Sequence, residues 1–162
     1  AEVEFGNTVL VGENRQGVIL DYALFSDSAP ADCHLLFESL LRVQGMSGRQ
    51  VGAVVTDRGF ASIANSQGLA KTDTCDATCP RQPKELSRRM AEKKFAELQR
   101  RRAQTEGRIG ILKNGFLGRP LRAKGFAHRE LALAWGVLTH NLWMLARLRT
   151  ERSQADAPAK AA

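Results

Sequence analysis

The sequence predicts an α/β domain, because β-rich runs alternate with helical patterns along its 162 residues. Two β-rich runs lie within residues 3–25 and join through a turn-rich stretch, which is typical of a hairpin. Residues 51–56 form a short apolar run, as expected of a strand that is buried on both faces. Residues 83–113 are dense in good helix formers, which predicts one long basic helix. Hydrophobic residues make up 43% of the chain and charged residues 25%, which excludes a disordered protein.

The remaining elements follow from apolar spacing and turn signals. We expect one helix over residues 31–43, a short helix over 61–70 and a weak edge strand within 72–80. A last helix over 127–149 is predicted to close the core with one apolar stripe, formed by Leu131, Trp135, Leu138, Leu142 and Leu145. The predicted domain spans residues 1–149, and residues 150–162 are predicted to be a disordered tail.

Positive charge is concentrated in one part of the chain. Lys and Arg number 24 against 17 acidic residues, for a net charge of +7. Residues 81–130 alone carry 15 basic and 5 acidic side chains, so a polyanion is expected to bind there. Arg119, Arg122 and Lys124 lie together in a Gly/Pro-containing loop and are predicted to contact the DNA backbone.

Cysteine content and hydropathy indicate a compartment. Three cysteines in a chain of this size favour reduced thiols and a cytoplasmic setting over a disulfide framework. The most apolar segment, residues 131–148, is interrupted by polar residues and glycine, so no membrane span is predicted.

Two acidic residues are the candidate catalytic and metal-binding pair. Asp57 follows the buried strand, at the edge where open α/β sheets place their ligands, and Glu106 lies on the basic helix. Two carboxylates from separate elements suit Mg²⁺ and phosphodiester chemistry. The alternative is structural: Asp57 caps the helix after it, and Glu106 pairs with nearby arginines.

Two cations share the helix face of Glu106. On an ideal α-helix Arg102 lies about 40° from Glu106, and Lys113 lies about 20° away on the other side. Pairing of Arg102 with Glu106 at i,i+4 leaves Lys113 without a role. A functional interpretation uses all three, with the carboxylate on metal and the cations on DNA phosphates.

Five segments of the sequence carry a family resemblance: VEFGNTVLVGENRQGVILDYALF, VVTDRGF, RRRAQTEGRIGILKN, LRAKGF and THNLWMLARL. With these segments the sequence resembles the catalytic domain of bacterial insertion-sequence transposases of the DDE type. The glutamate helix of such relatives reads tyrosine, two residues, arginine, three residues, glutamate, six residues, lysine. Arg102, Glu106 and Lys113 match that spacing, whereas Gln99 stands at the tyrosine position.

The resemblance implies a ribonuclease H-like fold, with a mixed sheet and flanking helices. Asp57 and Glu106 would be the second and third acids of the triad. The hairpin would form strands two and three, so the first, central strand and its aspartate are expected before Ala1, in a chain truncated at its N-terminus. Asp21 is the one strand-borne alternative for that aspartate. Without the central strand the sheet should be split, and the apolar run 51–55 should be exposed.

The resemblance also implies an activity and partners. Two Mg²⁺ ions, for which Mn²⁺ can substitute, would activate water to cut the element's end, and the freed 3′ hydroxyl would attack target DNA. The partners would be double-stranded DNA and a second copy of the protein in a homodimer, with the protein on the bacterial nucleoid. This chain alone is expected to be inactive. Two alternatives stay open: a catalytically dead remnant that binds DNA, and a structural nucleic-acid-binding module.

Overall fold

The N-terminal part of the protein is an antiparallel hairpin. The computed structural model describes residues 7–26, 28–118 and 121–155. Strands β1 (Val9–Glu13) and β2 (Ile19–Leu24) pair in an antiparallel register, as the sequence predicts. The side chain of Asn14 accepts hydrogen bonds from two backbone N–H groups of the turn, and Gly17 supplies the positive φ of 88°.

A second sheet contains two parallel strands. Strand β3 (Ala53–Thr56) pairs with β4 (Cys75–Thr78), which confirms the edge strand predicted within residues 72–80. The crossover between them consists of a 3₁₀ turn (Arg58–Phe60) and helix α2 (Ile63–Ala70). Both strands therefore end at the same edge, directly before Asp57 on one strand and Cys79 on the other.

The two sheets form no common ladder within the described ranges, so the mixed α/β architecture consists of two small sheets with flanking helices. Helix α1 (Asp32–Ser47) follows the hairpin and covers the second sheet. Val54 is buried beneath Leu36 of α1 and Leu69 of α2. The predicted exposure of residues 51–55 is therefore wrong for the strand's central side chain, because two helices shield it from water.

The basic stretch forms two helices instead of the single helix predicted. Helix α3 (Pro83–Met90) ends at a break, and helix α4 (Lys93–Ile111) begins after it. On one straight helix Arg89 and Phe95 would point about 120° apart. The break instead brings the Arg89 guanidinium to 4.1 Å from the centre of the buried Phe95 ring. Helix α4 then continues into a π-helical segment (Leu112–Leu117).

The last helix, α5 (Phe126–Ala155), packs on the hairpin with a face that was not predicted. Its buried residues are Leu133, Gly136, Val137, His140 and Met144. Gly136 allows the π-helical segment to approach, because a Cβ there would overlap the Leu117 side chain. The stripe predicted as core, from Leu131 to Leu145, is instead exposed.

The end of α5 also differs from the predicted boundary. The helix continues to Ala155, through residues that were predicted to begin a disordered tail at 150, while 156–162 lie outside the described residues. No helix in the described parts of the chain is long and apolar enough to cross a membrane.

Candidate functional site

Asp57 lies where the sequence predicts, directly after the carboxyl end of β3. Its Oδ1 accepts a hydrogen bond of 2.8 Å from the backbone N–H of Gly59, so it caps the 3₁₀ turn. The residue is exposed, and its second carboxylate oxygen makes no hydrogen bond within the described residues. Asp57 thus caps a turn, as the structural interpretation predicts. Its other carboxylate oxygen stays free of hydrogen bonds in the described structure.

A basic cavity of about 390 Å³ opens beside Asp57. Its polar lining contains one acid, three arginines and an amide, namely Asp57, Arg58, Arg100, Arg102 and Gln99, while its apolar lining consists of Cys79, Leu86 and Met90. The Nε of Arg102 is buried and has no hydrogen-bond partner within the described residues. An unsatisfied buried guanidinium donor is costly, so this atom is suited to an anionic acceptor.

Glu106 connects to this cavity through Arg102. The Nη1 of Arg102 donates to Oε1 of Glu106 at 3.0 Å, one helical turn further along α4. Glu106 is exposed, so this i,i+4 pair contributes little to stability. The pairing predicted for these two residues is therefore present, and Glu106 itself is not among the residues that line the cavity.

Hydrogen bonds fix helix α4 to both sheets, and they thereby set the positions of Arg102 and Glu106 on that helix. The Nε2 of Gln99 donates to the backbone oxygens of Ala77 at 2.5 Å and Thr56 at 3.4 Å. Thr56 is the last residue of β3, and Ala77 is the next-to-last residue of β4. Gln99 thus ties the helix to the strand that leads into Asp57.

The second attachment of α4 is to the hairpin. Glu13 at the end of β1 accepts hydrogen bonds from Thr105 Oγ1 at 2.7 Å and Arg108 Nη1 at 2.9 Å. Its side chain is largely buried, so these charge-assisted bonds lie in a partly dry environment. The segment that carries Arg102 and Glu106 therefore spans the gap between the two sheets.

Three other predicted DNA-binding residues, Lys113, Arg122 and Lys124, do not line the cavity. Lys113 is exposed on the π-helical segment, so the 20° offset from Glu106 expected on an ideal α-helix does not apply to it. Arg122 and Lys124 are exposed in the loop before α5, and Arg119 lies outside the described residues. The structure thus brings together Asp57 and Arg102, while the described cations Lys113, Arg122 and Lys124 are absent from the cavity lining.

Asp21, the alternative for the first acid, is a structural residue. It is buried and receives two hydrogen bonds from Arg42, at 2.7 Å and 2.8 Å. Burial opposes ionisation of Asp21, but the hydrogen bonds from Arg42 and Ser39 outweigh it and lower the pKa of the carboxyl below its usual value. Both of its oxygens are committed to Arg42, so Asp21 is unsuited to hold a metal.

Sequence reasoning missed Asp32 and Arg58, whereas Arg100 belongs to the basic run 100–102 that was predicted to contact the DNA backbone. The carboxylate of Asp32, at the start of α1, lies against Gly59 so closely that a Cβ there would overlap it, while Asp57 Oδ1 would be 3.1 Å from that Cβ. Arg58 and Arg100 line the cavity directly. The signal for Arg58 was its position next to Asp57, whereas Asp32 gave no signal because its approach depends on the packing of α1 on the 3₁₀ turn.

The donor chemistry fits Mg²⁺ bound together with DNA. Asp57 and Glu106 both offer hard carboxylate oxygens, and each has one oxygen free of hydrogen bonds in the described structure. Across residues 7–26, 28–118 and 121–155, no group of three His, Cys, Asp or Glu side chains is arranged to hold a metal. Mg²⁺ usually binds one or two carboxylates and completes its shell with water and substrate phosphates, so Asp57 and Glu106 each offer the type of donor atom that it takes.

Comparison with known proteins identifies the family. The family described as "Transposase DDE domain" matches residues 7–142, which include the hairpin, the cavity and most of α5. No curated protein and no solved structure matches the chain. Membership indicates a transposition-related nuclease function, with DNA as its partner. Because the match covers most of the sequence, the chain belongs to the transposase DDE domain family.

Proposed function

We propose that this chain is a transposase catalytic region that cleaves phosphodiester bonds in DNA with Mg²⁺ and then transfers the strand. The observation that carries the proposal is the cavity beside Asp57, where one carboxylate is combined with three arginines, one of which, Arg102, has a buried Nε without a hydrogen-bond partner in the described part of the chain. A carboxylate beside cations suits a substrate that brings its own negative charge and a metal ion.

Each side chain has a distinct role in this proposal. Asp57 and Glu106 would hold Mg²⁺ through their outward oxygens. When bound, the metal polarises the phosphate and lowers the pKa of water, which favours attack at phosphorus. Arg102 would weaken its exposed ion pair with Glu106 and donate a hydrogen bond from Nε to a phosphate oxygen. Arg58 and Arg100 would neutralise the neighbouring phosphates.

The fold and the wider setting also belong to the proposal. The ribonuclease H-like strand order, the working homodimer and the association with the nucleoid follow from the family resemblance. The exposed cations Lys113, Arg122 and Lys124, with Arg119, would bind the DNA backbone outside the cavity.

A second candidate function is a DNA-binding remnant without chemistry. It is favoured by the contacts of the two acids, because Asp57 caps a turn and Glu106 pairs with Arg102. Both hypotheses expect DNA binding, so only metal-dependent cleavage separates them.

The test is nicking of supercoiled plasmid by the protein produced from its native reading frame, in Mg²⁺ and in Mn²⁺. We expect cleavage that is abolished by EDTA, by Asp57→Asn and by Glu106→Gln. Asp73→Asn is the matched control, because Asp73 is an exposed acid near the start of β4 that is absent from the cavity lining. DNA affinity is measured in parallel, and Glu106→Gln should retain or increase it because one negative charge is removed.

Two results would decide against the proposal. Equal nicking by the wild type and both acid variants would assign cleavage to a contaminant. Retained DNA binding without any metal-dependent cleavage would support the remnant.

A further inference from the structure

Glu13 makes a contact with helix α4 that the proposed function does not use. One oxygen of its carboxylate, Oε1, accepts hydrogen bonds from both Thr105 Oγ1 and Arg108 Nη1. The Glu13 side chain is only 11% exposed. A charge this buried depends on its partner, because removing either member leaves the other charge unpaired and poorly hydrated. The contact is therefore a specific connection between the hairpin and α4.

The hairpin is shaped to make this contact. The register between β1 and β2 shifts between Gly12 and Glu13, so the ladder is irregular at the residue that reaches α4. In the turn, Gly17 has a φ of 88°, and a Cβ there would lie 2.9 Å from Arg108 Nε. A larger residue at this position would displace the guanidinium. Gly17 therefore provides both the turn and the space that Arg108 occupies beside Glu13.

Thr105 and Arg108 lie on a side of α4 that is turned away from Glu106. On an α-helix Thr105 points about 100° from Glu106, and Arg108 points about 160° from it. Gln99 points only about 20° from Glu106. Its amide holds that face of the helix against the strand that leads into Asp57. Helix α4 is thus attached on two different sides, and the two attachments together restrict its rotation about its own axis.

We propose that Glu13 is a positioning residue for Glu106, and that it acts by setting the rotation of α4 through Thr105 and Arg108. The inference rests on the proposed function, because that function makes Glu106 a metal ligand. Glu13 itself is absent from the lining of the cavity. Residues that orient a metal ligand without touching the metal typically change metal affinity by about 10- to 100-fold. Loss of the Glu13 charge should therefore weaken metal binding at a distance.

The first experiment is a Mn²⁺ titration of the full 162-residue chain with a short duplex, monitored by electron paramagnetic resonance. Glu13→Gln should weaken the specific Mn²⁺ affinity by about 10-fold. Asn141→Leu is the matched control, because it removes two hydrogen bonds of 2.8 Å between α5 and Ile19 of the hairpin without removing a bond to α4. Unchanged affinity in Glu13→Gln, or an equal loss in Asn141→Leu, would overturn the proposal.

The second experiment tests whether Glu13 and Arg108 act as one unit. Arg108→Gln should weaken Mn²⁺ affinity about as much as Glu13→Gln does. The chain with both substitutions should bind Mn²⁺ at least as well as either single variant, because it leaves no unpaired charge at the contact. Losses that add in the double variant would show that the two residues act separately and would contradict positioning by the pair.

Hydrogen exchange measured by mass spectrometry separates this proposal from the metal site. In Glu13→Gln the amides of residues 105–111 should exchange faster, while those of residues 93–100 keep their rates. Unchanged exchange at 105–111, or faster exchange throughout the chain, would overturn the positioning role. Unchanged Mn²⁺ affinity in both Asp57→Asn and Glu106→Gln would refute the proposed metal site. The exchange at 105–111 would then still decide whether Glu13 fixes this part of α4.

Discussion

The side-chain amide of Gln99 donates to the backbone oxygen of Ala77 at 2.5 Å, and this bond fixes helix α4 to the end of the parallel sheet. The same nitrogen lies 3.4 Å from the oxygen of Thr56, the residue before Asp57. Arg102 and Glu106 follow one and two turns later on the helix. One amide therefore determines how the predicted glutamate helix meets the strand that ends at the candidate catalytic aspartate.

Replacing Gln99 with methionine should lower the free energy of unfolding by about 1 kcal/mol, because a partly buried hydrogen bond is removed while side-chain volume is kept. The measurement is urea unfolding followed by circular dichroism. Gln104→Met on the exposed side of α4 is the control and should change stability little. Equal losses of unfolding free energy in the two variants would show that the Gln99 hydrogen bond does not stabilise the fold.

The fixing of α4 illustrates what the sequence could and could not predict. Helix-forming composition predicted one long helix across residues 83–113, but no glycine or proline marks the break between α3 and α4. The break brings Arg89 onto the Phe95 ring, a contact between side chains that sequence spacing on one straight helix does not predict. Asp57 was predictable because an apolar strand followed by a turn places its next residue at the sheet edge, whereas the carbonyl partners of Gln99 come from two distant strands.

The stability of the protein should depend on pH through Asp21. Arg42 and Ser39 hold the pKa of this buried carboxyl below its unfolded value despite the opposing effect of burial. The ionised form therefore stabilises the fold above the unfolded pKa of about 3.9, and this contribution disappears as pH falls through the lower, folded pKa.

Arg42→Met should leave the buried charge of Asp21 unpaired and destabilise the protein by about 2–3 kcal/mol at pH 7. The penalty should shrink toward pH 4, because protonation of Asp21 then removes the unpaired charge. Unfolding at both pH values checks this, with Arg49→Met, an exposed arginine, as the control. An equal penalty at both pH values would contradict it.

DNA affinity should depend more on Arg58 and Arg100, which line the cavity, than on Arg49, an exposed arginine outside both proposed DNA-binding groups. The alanine variants of Arg58 and Arg100 should each flatten the plot of log affinity against log salt, by about 0.9 for each DNA phosphate that the variant no longer neutralises. Arg49→Ala should leave the slope unchanged. Titration of a labelled duplex at several salt concentrations provides the test, and equal slopes in all variants would place the DNA elsewhere.

The loop cations form a separate group in the same assay. Combined replacement of Arg119, Arg122 and Lys124 by alanine should lower affinity for every duplex sequence, because phosphate contacts carry no sequence information. An unchanged salt slope in this triple variant would show that the loop is a solvated surface.

The last helix shows a second limit of sequence-based prediction. Helix α5 has two apolar faces, one with Leu131, Trp135 and Leu138 and another with Leu133 and Val137. The first is richer in large residues and was predicted to be the core. The second is buried because Gly136 admits the Leu117 side chain and because His140 lies against the Phe116 ring. Periodicity identifies apolar faces, but complementarity of shape decides which one the domain buries.

The most direct test of the catalytic proposal is a Mn²⁺ titration monitored by electron paramagnetic resonance, in the presence of a short duplex. Wild type, Asp57→Asn, Glu106→Gln and the double variant are compared at equal concentrations. If both carboxylates hold the same metal site, each single substitution should remove most of the specific affinity, and the double variant should bind only slightly more weakly still. Unchanged Mn²⁺ affinity in either single variant would contradict a shared site and leave Asp57 as a cap and Glu106 as a surface ion pair.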